Sequence, residues 1–453
     1  MAEGRIFIAN RGEIALRAIR TARALGLETV VGVSSADRDS LWAEAADRVL
    51  TLGPAPAQAS YLDQRLVLHA ATASGCGLLY PGYGFLSERA DFAALCAAEG
   101  VRFVGPSADQ IAAVGDKIAA RALAEDCAVP VNRGTAALAD ADAAVRAAEM
   151  IGFPVLTKAS AGGGGRGMVI AYSADELARG FAAASAAAEA AFGDGRLFLE
   201  RYVARARHIE VQAFGLGDGR VLHLHERDCS VQRRYQKMVE EAPAAVLPVD
   251  VRERLHAAAV SLLGRIGYAN AGTVEFLYDE ATGSLSFLEV NARIQVEHPV
   301  SEAITGADLV AWQIGLALGR APEACQADIR ARGHAIEVRI LAEDPARGFA
   351  PSPGTITGWN PPEGPGIRVD SGFAGGSRVP PFYDSMVAKL IVHAADRPRA
   401  VALLADALSR FEVEGIATNI PFLRRLIAHP DFLANRVHTR WLEQTLMPEA
   451  KAA

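Results

Sequence analysis

The stretch Lys158–Met168, KASAGGGGRGM, sets a lysine, four consecutive glycines and an arginine directly behind the apolar run FPVLT. Glycine has no Cβ, so such a run lets backbone N–H groups close around an anion that side chains would keep away. Phosphate is the obvious occupant. The order of the parts decides which fold this belongs to. A P-loop carries its lysine after the glycines and ahead of a helix, whereas Lys158 ends a strand that precedes the loop. The protein-kinase arrangement, with the glycine-rich loop ahead of the strand that bears the lysine, is not met either. What fits is a hairpin flap: strand FPVLTK, a glycine tip and a second strand MVIAY. A surface hairpin that holds no ligand is the alternative, and the surrounding residues have to decide.

With 453 residues, 51% apolar and 22% charged, the chain can bury large cores and is expected to divide into about two to four domains. Its 46 basic and 53 acidic side chains leave a formal charge of −7, which argues against a general binder of nucleic acid or anionic membranes. Any anion site is therefore local. The cysteines at 76, 96, 127, 229 and 325 are odd in number and too scattered for a CxxC pair, so they read as small buried hydrophobes in a reducing cytoplasm. No N-terminal signal pattern and no apolar run of spanning length is seen, and the expected location is cytoplasmic. The Ala-rich window AAASAAAEAAF reads as helix, because alanine is the best helix former.

Residues 1–113 alternate short apolar runs with amphipathic helical patterns. RIFIA, TVVGV, GLLYP and RFVGP read as buried strands, and helices are expected to begin near Glu13, Leu41, Leu62 and Glu88. That pattern predicts a parallel α/β domain. Its first strand ends in ANRGEIA rather than GxGxxG, so the dinucleotide fingerprint is missing. Gly12 and Glu13 stand at the carboxyl end of a strand, where such sheets bind ligands; an ordinary strand-to-helix turn explains them equally well. From residue 114 the texture changes. VGDKIAARALAE puts Lys117 in the first turn of a helix, PVNRG leads into the flap, and RLFLERYV closes it. Lys117 and Lys158 together offer two point cations to a polyphosphate, and Glu200–Val203 can form a hinge whose backbone reads an adenine edge. His208 opens the next strand beside that hinge. His223 and His225 invite a metal reading, but alternate positions on one strand face simply place two side chains in parallel, and the metal reading is set aside.

The densest chemistry lies between residues 227 and 299. RDCSVQRRYQKMVEEAP carries Arg227, Arg233, Arg234 and Lys237, while GTVEFLY and FLEVNARIQVEHP put Glu275 and Glu289 on otherwise apolar strands. A buried acid needs a partner. Two such acids with Asn291, all hard oxygen donors, suit Mg²⁺ bridging nucleotide phosphates. Arg293, Gln295 and Glu297 alternate, so an extended chain would point all three the same way. A guanidinium and an amide can hold a small planar oxyanion, and a carboxylate beside it can take its proton.

Taken in order, NRGEIA, PGYGFLSE, GDK, KASAGGGGRGM, ERDCSVQRR, QKMVEEAP, EFL, EVNARIQVEHPV, GHAIEVRILAEDP and PPFYDSMVAKL resemble the biotin carboxylase family of ATP-grasp enzymes, from Arg5 to about Leu446. The resemblance implies an α/β and α+β multidomain fold. An N-terminal Rossmann-like pre-ATP-grasp domain (1–113) is followed by an ATP-grasp domain (114–318) with a mobile lid at about 131–203. A C-terminal biotin carboxylase domain (319–447) completes the active site. It implies that ATP and bicarbonate give carboxyphosphate, and that the carboxyl group then passes to N1′ of biotin.

Residue by residue, Lys117 and Lys158 resemble the phosphate-binding lysines, and Gly164 and Gly165 the loop backbone over the phosphates. Glu200, Arg201, Tyr202, Val203 and His208 resemble the nucleotide hinge and ribose contacts, with Gln232, Tyr235 and Leu277 nearby. Glu275, Glu289 and Asn291 resemble ligands of Mg²⁺ or Mn²⁺, with two ions expected. Lys237, Arg293, Gln295, Val296 and Glu297 resemble the bicarbonate site with Glu297 as base, and Arg339 the residue that steadies the biotin enolate. Three positions depart from the family's habit: Arg201 for lysine, Tyr235 for histidine and Ala161 for a glycine.

No biotin acceptor segment around Met-Lys-Met is found, so biotin is expected on a separate carrier protein or domain. A carboxyltransferase partner and a homodimer are implied, with no nucleic-acid or membrane partner. The final acceptor is the carboxyltransferase's choice. Two rivals stand: an ATP-grasp ligase with an amine acceptor, which should lack RIQVEHP and the distal arginine, and a non-catalytic ATP-binding regulatory or scaffold protein, against which Glu297 and Arg339 argue.

Overall fold

The structure is a computed structural model, which describes residues 2–160 and 168–447. The first unit is a five-stranded sheet of β1 (Ala2–Ile8), β2 (Glu28–Ser34), β3 (Arg48–Gly53), β4 (Cys76–Tyr80) and β5 (Arg102–Phe103), in the order β3-β2-β1-β4-β5. Every pairing is parallel, as the alternation of apolar runs with helices predicts. Helices Gly12–Ala24, Gln64–Ala73 and Ala90–Ala98 form the crossovers. The strand Arg48–Gly53 has no counterpart in the sequence reading, because as an edge strand it is largely exposed and shows no apolar run.

A small lid follows. Strands β6 (Val155–Ala159), β7 (Val169–Ala171) and β8 (Leu197–Arg201) form a sheet in the order β7-β6-β8, with β6 central and antiparallel to both. This is the predicted flap, although its glycine tip, with Ala161, Gly164 and Gly165, lies outside the described residues. Helices Ala141–Ile151 and Ala174–Phe192 cover the sheet. The Ala-rich window is indeed helical, and its small side chains, with Ala144, Ala147 and Ala148 opposite, build a core of low volume.

The largest sheet has eight antiparallel strands. It holds β9 (Ala206–Leu216), β10 (Val221–Arg233), β11 (Gln236–Ala242), β12 (Ala269–Asp279), β13 (Ser284–Asn291) and β14 (His334–Leu341), ordered β13-β12-β9-β10-β11-β14. Strands Met386–Ala394 and Ile367–Ser371 continue it beyond β14. Residues from both sides of position 318 thus pair within one sheet. Residues 202–205 join β8 of the lid to β9 of this sheet. Among the described residues no helix is long and apolar enough to cross a membrane. The five cysteines are unpaired, and Cys325 is exposed rather than buried, since it caps a short 3₁₀ turn at the surface.

Candidate active site

A cavity of 880 Å³ opens between the lid and the large sheet, and residues from both sides of it include every predicted site residue that the structure describes. Local structure explains the placement. The Asp116 side chain accepts from the N–H groups of Ile118 and Ala119, capping the helix Lys117–Asp126 and fixing Lys117 as its first residue. Lys117 Nζ then stands 3.2 Å from Glu289. Lys158, on β6, is paired with Glu200 of β8 at 3.0 Å, and both are buried. The chain leaves the lid sheet after Arg201, and Arg201 and Tyr202 donate backbone N–H groups to the carbonyls of Arg133 and Pro154. Leu156 and Met168 from the lid and Leu277 and Leu288 from the large sheet supply apolar walls.

The floor is a row of facing acids. Strand register sets Glu210 of β9 directly opposite Glu275 of β12, and Glu275 opposite Glu289 of β13. Like charges in such positions repel, so the row stands only with cations among it. Lys237 supplies the central one, with Nζ 2.5 Å from Glu210, 3.0 Å from Glu275 and 2.7 Å from Glu297. Arg227, fully buried, holds Glu210 from the other side at 2.6 Å. His208 Nε2 lies 2.9 Å from Glu275, and its Nδ1 accepts from Gln232 at 2.7 Å. Burial alone would raise these carboxyl groups and lower the imidazole; the neighbouring charges win. Glu210 is pulled down to about 2 by Lys237 and Arg227, Glu275 is held well below the usual carboxylate range, and His208 is raised. The Asn291 amide donates to Glu275 at 3.0 Å. Two carboxylates and an amide oxygen on facing strands make a hard donor set, each acid now neutralised by a cation that a metal could replace.

Arg293, Gln295 and Glu297 do share this cavity, but not by alternation along a strand. Strand β13 ends at Asn291, the chain bends at Arg293, and Glu297 is the N-cap of helix His298–Thr305 with φ −83° and ψ 13°, followed by Pro299 in the first turn. In that first turn the proline's missing N–H costs nothing and its fixed φ suits the helix. Arg293 is spread over Glu88 (2.7 Å), Gln295 (2.7 Å) and Asn291 (2.9 Å). The cations on Glu297 are instead Lys237 and Arg339, the latter at 3.0 Å. Burial would raise the carboxyl group of Glu297, but Lys237 and Arg339 outweigh it and the net shift is downward. The guanidinium and ammonium that hold the base are therefore those of Arg339 and Lys237 rather than Arg293.

Glu13 does not line the cavity. Fully buried, it pairs with Lys389 at 2.9 Å and accepts from the Tyr83 hydroxyl, while Lys389 also donates to the Val296 carbonyl at 2.8 Å. It reaches the site indirectly, through that lysine and through Tyr83, which lines the cavity. The four cations of residues 227–237 part company: Arg227 and Lys237 reach Glu210, Arg233 pairs with Glu343 at 2.9 Å and stacks on Phe349, and Arg234 enters a tight turn. Arg234 and Tyr235 both have positive φ, 49° and 65°, as a two-residue turn between β10 and β11 requires. The turn leaves Tyr235 at the cavity's edge. Sequence reasoning missed Glu210, Glu88 and Asn132. Glu210, in HIEVQAF, carries the same signal as Glu275, an acid inside an apolar strand. Asn132 has no such mark.

Comparison with known proteins gives a consistent result. Residues 3–111 match the biotin carboxylase N-terminal domain, 116–324 the ATP-binding domain of the carbamoyl-phosphate synthase L chain, and 337–444 the biotin carboxylase C-terminal domain. Biotin carboxylase 1 of Bacillus subtilis is 44% identical over 97% of this chain and 98% of its own. The chain belongs to the biotin carboxylase family. It is an ATP-grasp ligase, and its reaction is the ATP-dependent carboxylation of biotin. The biotin carboxylase of Halalkalibacterium halodurans is 48% identical over 98% of this chain and 98% of its own. The biotin carboxylase domain dimer of Hydrogenobacter thermophilus 2-oxoglutarate carboxylase, solved with MgADP, ADP and bicarbonate, superposes with a TM-score of 0.94. It is 43% identical and covers 97% of each chain.

Proposed function

We propose that this biotin carboxylase carries out the first half-reaction of a biotin-dependent carboxylase, through the residues gathered around Lys237 and Glu297. Lys117 and Lys158 bind the nucleotide phosphates under the lid, with Gly164 and Gly165 closing over them. The backbone at Glu200–Val203, together with His208, Gln232, Tyr235 and Leu277, receives the base and ribose. Glu275, Glu289 and Asn291 would hold Mg²⁺ or Mn²⁺, two ions in this reading, which bridge the phosphates and neutralise developing charge. Arg293, Gln295 and the Val296 backbone hold bicarbonate. Glu297 takes the bicarbonate proton as the oxygen attacks the γ-phosphorus and ADP leaves, giving carboxyphosphate; the carboxyl group then passes to N1′ of biotin beside Arg339 as the bond to phosphate breaks, and the released phosphate carries off the N1′ proton.

The reading is carried by Glu297: an acid with 0% exposure, gripped by two cations in the same cavity as two phosphate-reaching lysines. A base form stabilised in this way is always ready. Arg339 and Lys237 must release it as substrate anions arrive, and a lid that excludes water protects an intermediate prone to hydrolysis. Biotin comes on a carrier protein or domain, the product goes to a carboxyltransferase, and the chain works as a cytoplasmic homodimer. The test is ADP release from the isolated chain with Mg-ATP, adding bicarbonate and free biotin separately and together. Slow bicarbonate-dependent turnover that biotin accelerates is expected. Indifference to biotin, with stimulation by an amine or amino acid, would move the chain's chemistry to an amine-accepting ligase.

A further inference from the structure

Outside the nucleotide cavity, three imidazoles meet. His223 and His225 stand on β10, and His256 on the helix Val249–Arg265 that packs against it. One ring nitrogen from each lies within 4.8 Å of the other two. The backbone is bent where this happens. His225 has φ 64°, in the left-handed region that non-glycine residues enter at a cost, and the pairing of β10 with β9 slips between His223 and Glu226. Such bulges re-aim side chains beside functional sites.

The hydrogen-bond pattern suits metal ligands. Glu226 is fully buried, and its carboxylate already accepts from the Arg252 guanidinium at 2.8 Å and the Ala244 N–H at 3.1 Å. His256 Nε2 therefore donates to it, at 2.7 Å, which leaves Nδ1 as the lone-pair nitrogen. The Ile329 carbonyl, 3.3 Å away, fixes His225 the same way. His223 Nδ1 is buried with no hydrogen-bond partner among the described residues. A carboxylate or carbonyl behind the imidazole is the usual outer support of a metal-bound histidine. His223 and His256 stack at a centroid distance of 4.0 Å; sharing an ion turns one ring about χ2, a broad torsion in histidine.

We propose that His223, His225 and His256 form a site for a divalent transition-metal ion of the Zn²⁺ type, separate from the nucleotide cavity, which staples the helix Val249–Arg265 to β10. Three imidazole ligands favour Zn²⁺, Ni²⁺ or Cu²⁺ over Mg²⁺, and a water completes a tetrahedral shell.

The test is to titrate chelator-treated full-length protein with Co²⁺, a spectroscopic stand-in for Zn²⁺, without nucleotide or Mg²⁺. One equivalent with the visible ligand-field absorption of a four-coordinate, nitrogen-bound ion is expected. His225→Asn keeps a residue that tolerates the left-handed backbone, and His256→Gln keeps a donor for Glu226. Each should weaken that binding at least as much as the roughly 10–100-fold typical of losing a supporting partner. Melting in metal-free buffer should stay near that of the parent, with the rise in melting temperature on adding Zn²⁺ lost. Glu289→Gln, in the nucleotide cavity, should retain the signal. No saturable absorption in the parent, absorption that survives both histidine variants, or its loss in Glu289→Gln alone would overturn the proposal.

Discussion

The large sheet carries two rows of face-to-face glutamates, and the rows take opposite protonation states. In the first, Glu210, Glu275 and Glu289 oppose one another across β9, β12 and β13. In the second, Glu240 of β11 faces Glu337 of β14. Glu210 and Glu275 of the first row and both acids of the second are taken out of water, so desolvation is the leading influence on each. What differs is the supply of positive charge. Lys237, Arg227 and His208 serve the first row and keep Glu210 and Glu275 ionised. The second has Arg339, 2.7 Å from Glu240 and shared with Glu297, while Lys389 is committed to Glu13 and the Val296 carbonyl. Glu240 is raised by burial to about 7 and Glu337 well above the ordinary range. Neither oxygen of Glu337, nor Oε2 of Glu240, has a hydrogen-bond partner among the described residues. Burial does not decide whether a carboxyl is charged; the number of cations within reach does.

The sharpest way to break the comparison is to remove the cation that unites the first row. Lys237→Met strips Glu210, Glu275 and Glu297 of their shared partner, and breaking a buried ion pair by deleting one member costs roughly 3–5 kcal/mol. We expect a large fall in melting temperature and no measurable bicarbonate-dependent ADP release, with Mg²⁺ recovering part of the stability by replacing the lost charge. Unchanged melting would mean that the acids already share protons, as the second row does. Glu297→Gln is gentler. It leaves Lys237 two carboxylates and keeps the side chain's shape, but removes the base, and general-base assistance contributes roughly 10²–10⁴-fold. Turnover should fall by about that factor with the KM for ATP near normal. A variant that keeps most of its turnover would reduce Glu297 to a structural partner of Arg339.

The first row was partly legible in the sequence; the second row, and the difference between the two, was not. An acid in an apolar strand marks a buried carboxyl, so Glu275 and Glu289 stood out, and Glu210 carried the same mark. Which acids face which depends on register among strands far apart in the chain, as Glu210 and Glu275 or Glu240 and Glu337 are, and no local pattern encodes that. The parallel N-terminal sheet was readable because its strands are continuous apolar runs; edge strand Arg48–Gly53, half in water, left no such trace. The loop after Asn291 looked like a continuing strand because RIQVE alternates, but the strand stops at Asn291, the chain bends at Arg293, and a helix starts at His298. The histidines at 223 and 225 lacked a third ligand in view, since His256 comes from a helix thirty residues on.

The smallest expected effect concerns the second row and has a definite sign. Glu337 binds its proton more tightly in the folded chain than in the unfolded one, whose carboxyl titrates near the ordinary value of about 4.3. Above that pH the unfolded state sheds the proton first, so the native state binds more protons and stability falls as pH rises, by up to about 1.4 kcal/mol per unit until the folded group also ionises. This is the reverse of the first row, whose depressed carboxylates add stability above their unfolded pKa and lose it as pH falls through the folded value. Glu337→Gln keeps the volume and replaces an acid by a neutral amide. Its melting temperature should match the parent near pH 5 and exceed it increasingly between pH 6 and 8. Parallel melting curves for the two proteins across that range would mean that Glu337 is ionised in the native state and that Arg339 and Lys389 serve it as fully as Lys237 serves the first row.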